Sequence, residues 1–253
     1  MKKIIFLTIL AVGIVSYSNS TVFNHSKFYP TKETKVIRKT VKEYSHGVLQ
    51  NEEIITYSYE NNLVSRIVTT LANGDTIENV GVKFENGKLK EMHSESLPTI
   101  NEKKMATTKI FNYTDDLITS IESNENGIKS LQLFYYNNLK QVGKEKIFRN
   151  ENLDGEVNNE YSTSGNISKR ATSSSRFNYI NVYNSYDDKN NPFELIFPLA
   201  YLKIHVRAKN NVLSSRLGIA NYTYKYEYNS NNYPVKITER VGTEKKITTI
   251  EYE

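Results

Sequence analysis

The sequence predicts an all-β fold, an antiparallel meander of tyrosine-rich hairpin repeats forming an extended curved sheet. Three observations predict it. Tyrosine is unusually frequent, 19 in 253 residues against 10 phenylalanines and no tryptophan, and tyrosine has high strand propensity. Asparagine, which favours turns and tolerates a left-handed backbone, recurs in short polar clusters. The two alternate in a fixed order: an aromatic strand end, a few polar turn residues, an apolar residue, then a second strand.

The repeat is legible residue by residue. Ile55-Thr56-Tyr57-Ser58-Tyr59 leads through Glu60-Asn61-Asn62 to Leu63 and Ile67. Val82-Lys83-Phe84 leads through Glu85-Asn86-Gly87-Lys88 to Leu89, and Phe111-Asn112-Tyr113 through Thr114-Asp115-Asp116 to Leu117. Tyr226-Glu227-Tyr228 leads through Asn229-Ser230-Asn231-Asn232 to Tyr233-Pro234-Val235. The anchors Tyr59, Phe84, Tyr113, Tyr135, Tyr161, Tyr186 and Tyr228 stand about 22 to 29 residues apart until the last gap, a period that implies a stacked or meandering array. Asn86-Gly87 is a strong hairpin signal because both central positions of such a turn need positive φ. Asn73-Gly74-Asp75 and Asn126-Gly127 mark turns at the opposite ends of their hairpins. Tyr222, Tyr224, Tyr226 and Tyr228 alternate with Thr223, Lys225 and Glu227, so the tyrosines share one face and the polar residues the other.

The last, long gap holds Asn191 to Leu202, which has two prolines and no strict alternation. It predicts an irregular apolar excursion near residues 192–204, containing a short helix and packed as a plug on the apolar face of the sheet. The functional alternative is a hydrophobic contact or lipid surface.

Residues 1–20 read as a signal peptide. Lys2 and Lys3 precede the apolar run Ile4 to Val15, and Ser18-Asn19-Ser20 supplies small residues before Thr21. The run is shorter than the ~20 residues a transmembrane helix needs. Residues 21–253 then form one β-repeat domain. There is no cysteine, so neither a disulfide nor a lipid-modified cysteine can form. The expected address is the periplasm, the cell surface or the medium, and not that of a lipoprotein. The formal charge is +5, but acids and bases alternate along the chain. They read as solvated strand faces, and no nucleic-acid partner is expected.

The chemistry-bearing residues form no recognised catalytic constellation. His25, His46, His93 and His205 lack metal-ligand spacing and each reads as a solvated histidine, His46 in a turn with Gly47. No Gly-x-Ser-x-Gly elbow occurs. Gly81 to Gly87-Lys88-Leu89 has the wrong spacing for a phosphate loop, and Leu stands where Ser or Thr would hold magnesium. Asp115-Asp116 and Asp187-Asp188 are adjacent turn carboxylates that point apart. Asn150, Asn152, Asp154 and Asn158, around Gly155, approach the ligand spacing of a calcium loop. The first position is Asn rather than Asp, and Tyr161 replaces the terminal bidentate acid. A polar turn at Asp154-Gly155 is the competing reading. No cofactor is expected.

Tyr161 to Gly165-Asn166, Tyr183 to Tyr186-Asp187 and Tyr226 to Tyr228-Asn229 resemble the tyrosine-aspartate repeats of RHS-type proteins. With Asn190-Asn191-Pro192-Phe193, Lys209-Asn210-Asn211-Val212 and Tyr233-Pro234-Val235-Lys236-Ile237, roughly Glu52 to Glu253 is similar to a group of small exported β-repeat proteins of Bacteroidetes-type bacteria. The resemblance implies a periplasmic or cell-surface address and an all-β meander, and no established activity. Few glycines and no toxin domain set the chain apart from the RHS pattern.

The function expected from these residues is a non-catalytic interaction module that binds protein or glycan through exposed tyrosines, which offer rigid amphipathic area. An exported hydrolase is one alternative, its carboxylates contributed by distant strands. The other is an outer-membrane β-barrel, which alternation and aromatic content fit. Against that barrel stand the final Ile250-Glu251-Tyr252-Glu253, without a terminal aromatic, and the charges of Lys35 to Glu43.

Overall fold

The computed structural model describes residues 34–96, 104–175 and 177–253. The leader, the start at Thr21 and His25 lie outside the described residues. The strands are β1 (Val36–Ser45), β2 (Val48–Glu60), β3 (Leu63–Leu71), β4 (Thr76–Glu85), β5 (Lys88–Ser96), β6 (Met105–Thr114), β7 (Leu117–Glu125) and β8 (Ile128–Tyr136). They continue as β9 (Val142–Arg149), β10 (Asn152–Tyr161), β11 (Ile167–Ser174), β12 (Asn178–Tyr186), β13 (Val212–Leu217), β14 (Ala220–Tyr228), β15 (Pro234–Val241) and β16 (Glu244–Tyr252). Each pairs antiparallel with its sequence neighbours, and β1 also pairs with β16, so the sheet closes into a barrel. The meander is as the sequence predicts. The extended curved sheet is not: its two edges find each other.

The repeat supplies the curvature that closes it. At one end of the barrel, every strand pair carries a register shift beside its aromatic anchor. Between Tyr59↔Val64 and Ser58↔Arg66, for example, β3 holds one residue more than β2. The same shift occurs at Phe84, Tyr113, Tyr136, Tyr161, Tyr186 and Tyr228, and across the closing pair at Tyr252↔Val36. A bulge bends its strand and adds right-handed twist, so the same bend recurs at the same height around the wall.

A ladder of tyrosine hydroxyls follows from the bulges. Tyr59 donates to the carbonyl of Val36, Tyr136 to Ile118, Tyr161 to Val142, Tyr186 to Ile167 and Tyr252 to Pro234, at 2.5–3.0 Å. Each acceptor belongs to a buried residue at the start of a strand in the preceding repeat. Two anchors differ from the sequence-based series. Tyr136, not Tyr135, points inward, and Tyr135 is exposed on the outer wall. Tyr252 is a further anchor, absent from the series read in the sequence.

The excursion is a plug, as predicted. A 3-10 turn, Pro192–Leu195, and helix α1, Leu199–His205, fill the bulged end from within. Asn191 caps the turn by accepting from the Phe193 amide at 2.8 Å, and Pro192 and Pro198 sit where a helix start needs no N–H donor. Leu195, Ile196, Tyr201 and Ile204 pack with Phe111, Ile118, Ile121, Phe134 and Val142 of the wall. The core is therefore the lower part of the barrel.

The alternation predicted for β14 holds: Thr223, Lys225 and Glu227 are exposed outside, and the four tyrosines are half-buried inside. Elsewhere the outer wall carries ion pairs between neighbouring strands: Lys42–Glu52, Lys83–Glu91, Lys144–Glu156, Lys169–Glu160 and Lys236–Glu227, at 2.6–3.1 Å. Charges of this kind match the solvated faces read from the sequence.

Candidate functional site

The inward positions above the plug form a polar lumen. They lie in phase with the buried anchors, because strand side chains alternate and antiparallel partners share a face. Lys109 stands two residues before the buried Phe111 and opposite Met92 and Ser123. Glu53, Glu78, Glu239 and Lys246 are likewise inside, and Lys246 pairs with Glu43 at 2.8 Å across β16 and β1. Burial and the neighbouring Glu53 push the Glu78 carboxyl up. Lys109 is held low by burial, against the pull of Glu78 and Glu125, yet its side chain is exposed to the lumen. An enclosed but wetted lysine is what a water-filled barrel interior gives. Barrels of this strand number leave an aqueous channel unless something fills them, and here the plug fills only one end.

The floor of the lumen is a charged network that ties plug to wall. Glu145 of β9 is fully buried. Its carboxylate accepts from Asn159 at 3.1 Å and Gln132 at 2.8 Å. It meets Arg207, just past α1, at 2.9 Å and Arg170 of β11 at 3.6 Å. Arg207 has φ +61 and a side chain only 3% exposed, so the plug buries a guanidinium that, among the described residues, Glu145 balances. Several polar atoms around this network lack a partner: Asn159 Oδ1, Arg170 Nε, Thr172 Oγ1, Asn181 Oδ1, and Arg207 Nε and Nη1. Unpaired buried polar atoms are uncommon in native proteins and mark places for ordered water or a ligand.

His205 closes α1 beside this network, its ring 4.2 Å from that of Tyr201. Burial first, then Lys109 and Arg170, push its pKa down to about 3. The solvated histidine expected from the sequence is thus a neutral, packed one. His46 does occupy an exposed turn with φ +49, and His93 lies on the outer wall, 2.9 Å from Thr108 Oγ1. Lys39 is buried with its ammonium 4.0 Å from the Phe193 ring of the plug and 5.4 Å from that of Tyr57. Burial lowers its pKa to about 7.

The calcium candidates do not converge. Asn150 sits in the β9–β10 turn with φ +46, whereas Asn152, Asp154 and Asn158 are strung along β10. A strand rises about 3.3 Å per residue, so these side chains cannot surround one ion. Asp154 instead accepts from Ser175 at 3.0 Å and faces Arg149 at 3.5 Å. Gly155 sits against β11, where an added Cβ would stand 2.9 Å from the Ser173 carbonyl. Asp187 plays a structural part. It accepts from the Asn211 amide at 2.8 Å, the Lys189 amide at 3.0 Å and the Tyr228 hydroxyl, pinning the two ends of the plug segment together.

Glu145, Arg170 and Lys109 were missed by sequence reasoning. Lys109 had a signal, being in phase with Phe111 and Tyr113 on one strand. Arg170 had none, because the bulge beyond Ile167 shifts the phase by one residue.

No family model matches the chain, and no curated protein does. A porin-like protein from Bacteroides uniformis matches with TM-score 0.51 at 11% identity, over 85% of this chain and 98% of that one. A porin-like protein from Bacteroides vulgatus aligns over 86% and 98% at 14% identity, with TM-score 0.39. At such identity the first match shows a shared barrel fold.

Proposed function

We propose that the chain is an exported, water-facing β-barrel whose polar lumen, floored by the plug, is a binding cup for a small polar ligand such as a glycan fragment. One observation carries this reading: the outer wall carries lysines at mid-height and ion pairs between neighbouring strands, three of them beside the bulges, while unpaired polar groups point inside. A lysine or arginine on a lipid-facing strand costs about 2–4 kcal/mol at the bilayer midplane, and Lys42, Lys146 and Lys225 all lie outside at that level. Among the described residues no catalytic pair converges to favour the hydrolase alternative. Among the described residues no group of histidines and carboxylates has metal-binding geometry.

A second reading, an outer-membrane barrel, is favoured by the likeness to a porin-like fold and by the closed sheet itself. The test is fractionation of the host cell. The cup reading expects the mature protein in the soluble fraction released by osmotic shock or in the medium, monodisperse without detergent. Recovery only from the outer-membrane fraction, and only with detergent, would establish the second reading.

A further inference from the structure

Building on the cup reading, we propose that the ligand is an acidic saccharide, with its carboxylate held above the plug by Arg170 and Lys109 and its sugar ring against the tyrosines of β12 and β14. The charge balance of the floor points there. Arg170 and Arg207 share the single carboxylate of Glu145, and Arg207 holds the nearer position, 2.9 against 3.6 Å. Arg170 is the looser partner, its side chain a quarter exposed, and its Nε has no acceptor. Among the described residues, no carboxylate lies within ion-pairing distance of Lys109; Glu78 and Glu125 attract it from farther off. Two cations therefore face the lumen from β6 and β11 on either side of the end of α1: Lys109 stands two residues from Phe111, whose ring lies 5.9 Å from that of Tyr201 on α1, and Arg170 shares Glu145 with Arg207, two residues past His205.

The wall beside Arg170 suits a sugar. Arg170 stands opposite Asn181, and Thr172 opposite Tyr179. Tyr183 is opposite Ser215, which in turn faces Tyr222. Tyr179 is exposed, and Tyr222 and Tyr224 are half-buried, so aromatic faces and polar tips meet the lumen together. Asn159 Oδ1, Asn181 Oδ1 and Thr172 Oγ1 are acceptors without donors, and hydroxyl groups or the waters they order can supply them. A carboxylate suits the fork of a guanidinium because two parallel N–H groups meet its two oxygens.

The test is calorimetry on the mature protein with a galacturonate oligosaccharide, its methyl ester and inorganic phosphate. The ester keeps the ring and hydroxyl groups and removes the charge. The expected result is binding of the acid at least tenfold tighter than the ester. Lys109→Gln should reduce affinity for the acid about tenfold and leave the ester unchanged. Arg170→Gln should do the same, with its fold verified by circular dichroism because it also touches Glu145. Equal binding of acid and ester would overturn the carboxylate assignment and leave the cup reading standing. Phosphate binding as tight as the acid would overturn the saccharide assignment. Acid binding undiminished in Lys109→Gln would overturn the placement. No binding of either sugar form would remove both the inference and the glycan form of the cup.

Discussion

The hydroxyl of Tyr59 donates to the carbonyl oxygen of Val36 at 2.8 Å, joining the end of one hairpin to the start of the strand before it. The same bond recurs at Tyr136, Tyr161, Tyr186 and Tyr252 and ties each of those units to its predecessor at the height of the bulges. Phe84 stands at an equivalent position with no hydroxyl, and the Tyr113 hydroxyl is directed toward Leu89 without completing a bond.

Removing one rung should be measurable. Tyr161→Phe leaves the Val142 carbonyl with one donor fewer and should cost about 1 kcal/mol, a fall in Tm of about 2–4 °C for a domain of this size. Phe84→Tyr should add the missing rung to the Val64 carbonyl and raise Tm by a similar amount. Thermal unfolding of the two variants checks both.

The Glu145 clamp should be the costliest point on the floor. Glu145→Gln leaves the buried Arg207 uncompensated, and breaking one side of such a pair costs about 3–5 kcal/mol. Chemical denaturation should show that loss, and limited proteolysis should cut the plug first, since Arg207 is its charged tether to the wall.

Lys39 should destabilise the barrel at neutral pH. Its pKa is lowered by burial from 10.5 to about 7, so protonation favours the unfolded chain, and stability rises as pH climbs from 7 toward 10.5. The rings of Phe193 and Tyr57 offset part of that cost. Lys39→Met should therefore gain on the order of 2 kcal/mol at pH 7. The difference in Tm between variant and parent should shrink as pH is raised to 9.5.

His205 should contribute acid sensitivity. Its pKa falls from 6.5 to about 3 on folding, so its contribution is intact above pH 6.5 and is lost as pH drops toward 3. Tyr201 packs on the ring, and the charges that act on it, Lys109 and Arg170, are both cations. Between pH 6.5 and 4.5 the loss should be on the order of 2 kcal/mol. A His205→Gln variant should show a shallower fall in Tm over that interval.

The repeat was legible from the start because its elements are local. Asn61, Asn86 and Asn126 adopt the positive φ that their turns require, and the tyrosines of β14 face inward as alternation demands. The plug was legible too, since prolines and a non-alternating apolar run exclude a strand. Tyr135 was mistaken for Tyr136 because a bulge shifts phase by one residue, and a bulge has no fixed composition.

The repeating unit is written in the chain itself: an aromatic strand end, a polar turn and a buried apolar start, each set by the conformational preferences of a few adjacent residues. Closure, and with it the site, belongs to the assembled barrel. Whether β1 meets β16 depends on the summed bend and twist of every pair between them, which no single repeat encodes. Glu145, Arg170 and Arg207 come together only because that closed wall surrounds a plug arriving from between β12 and β13.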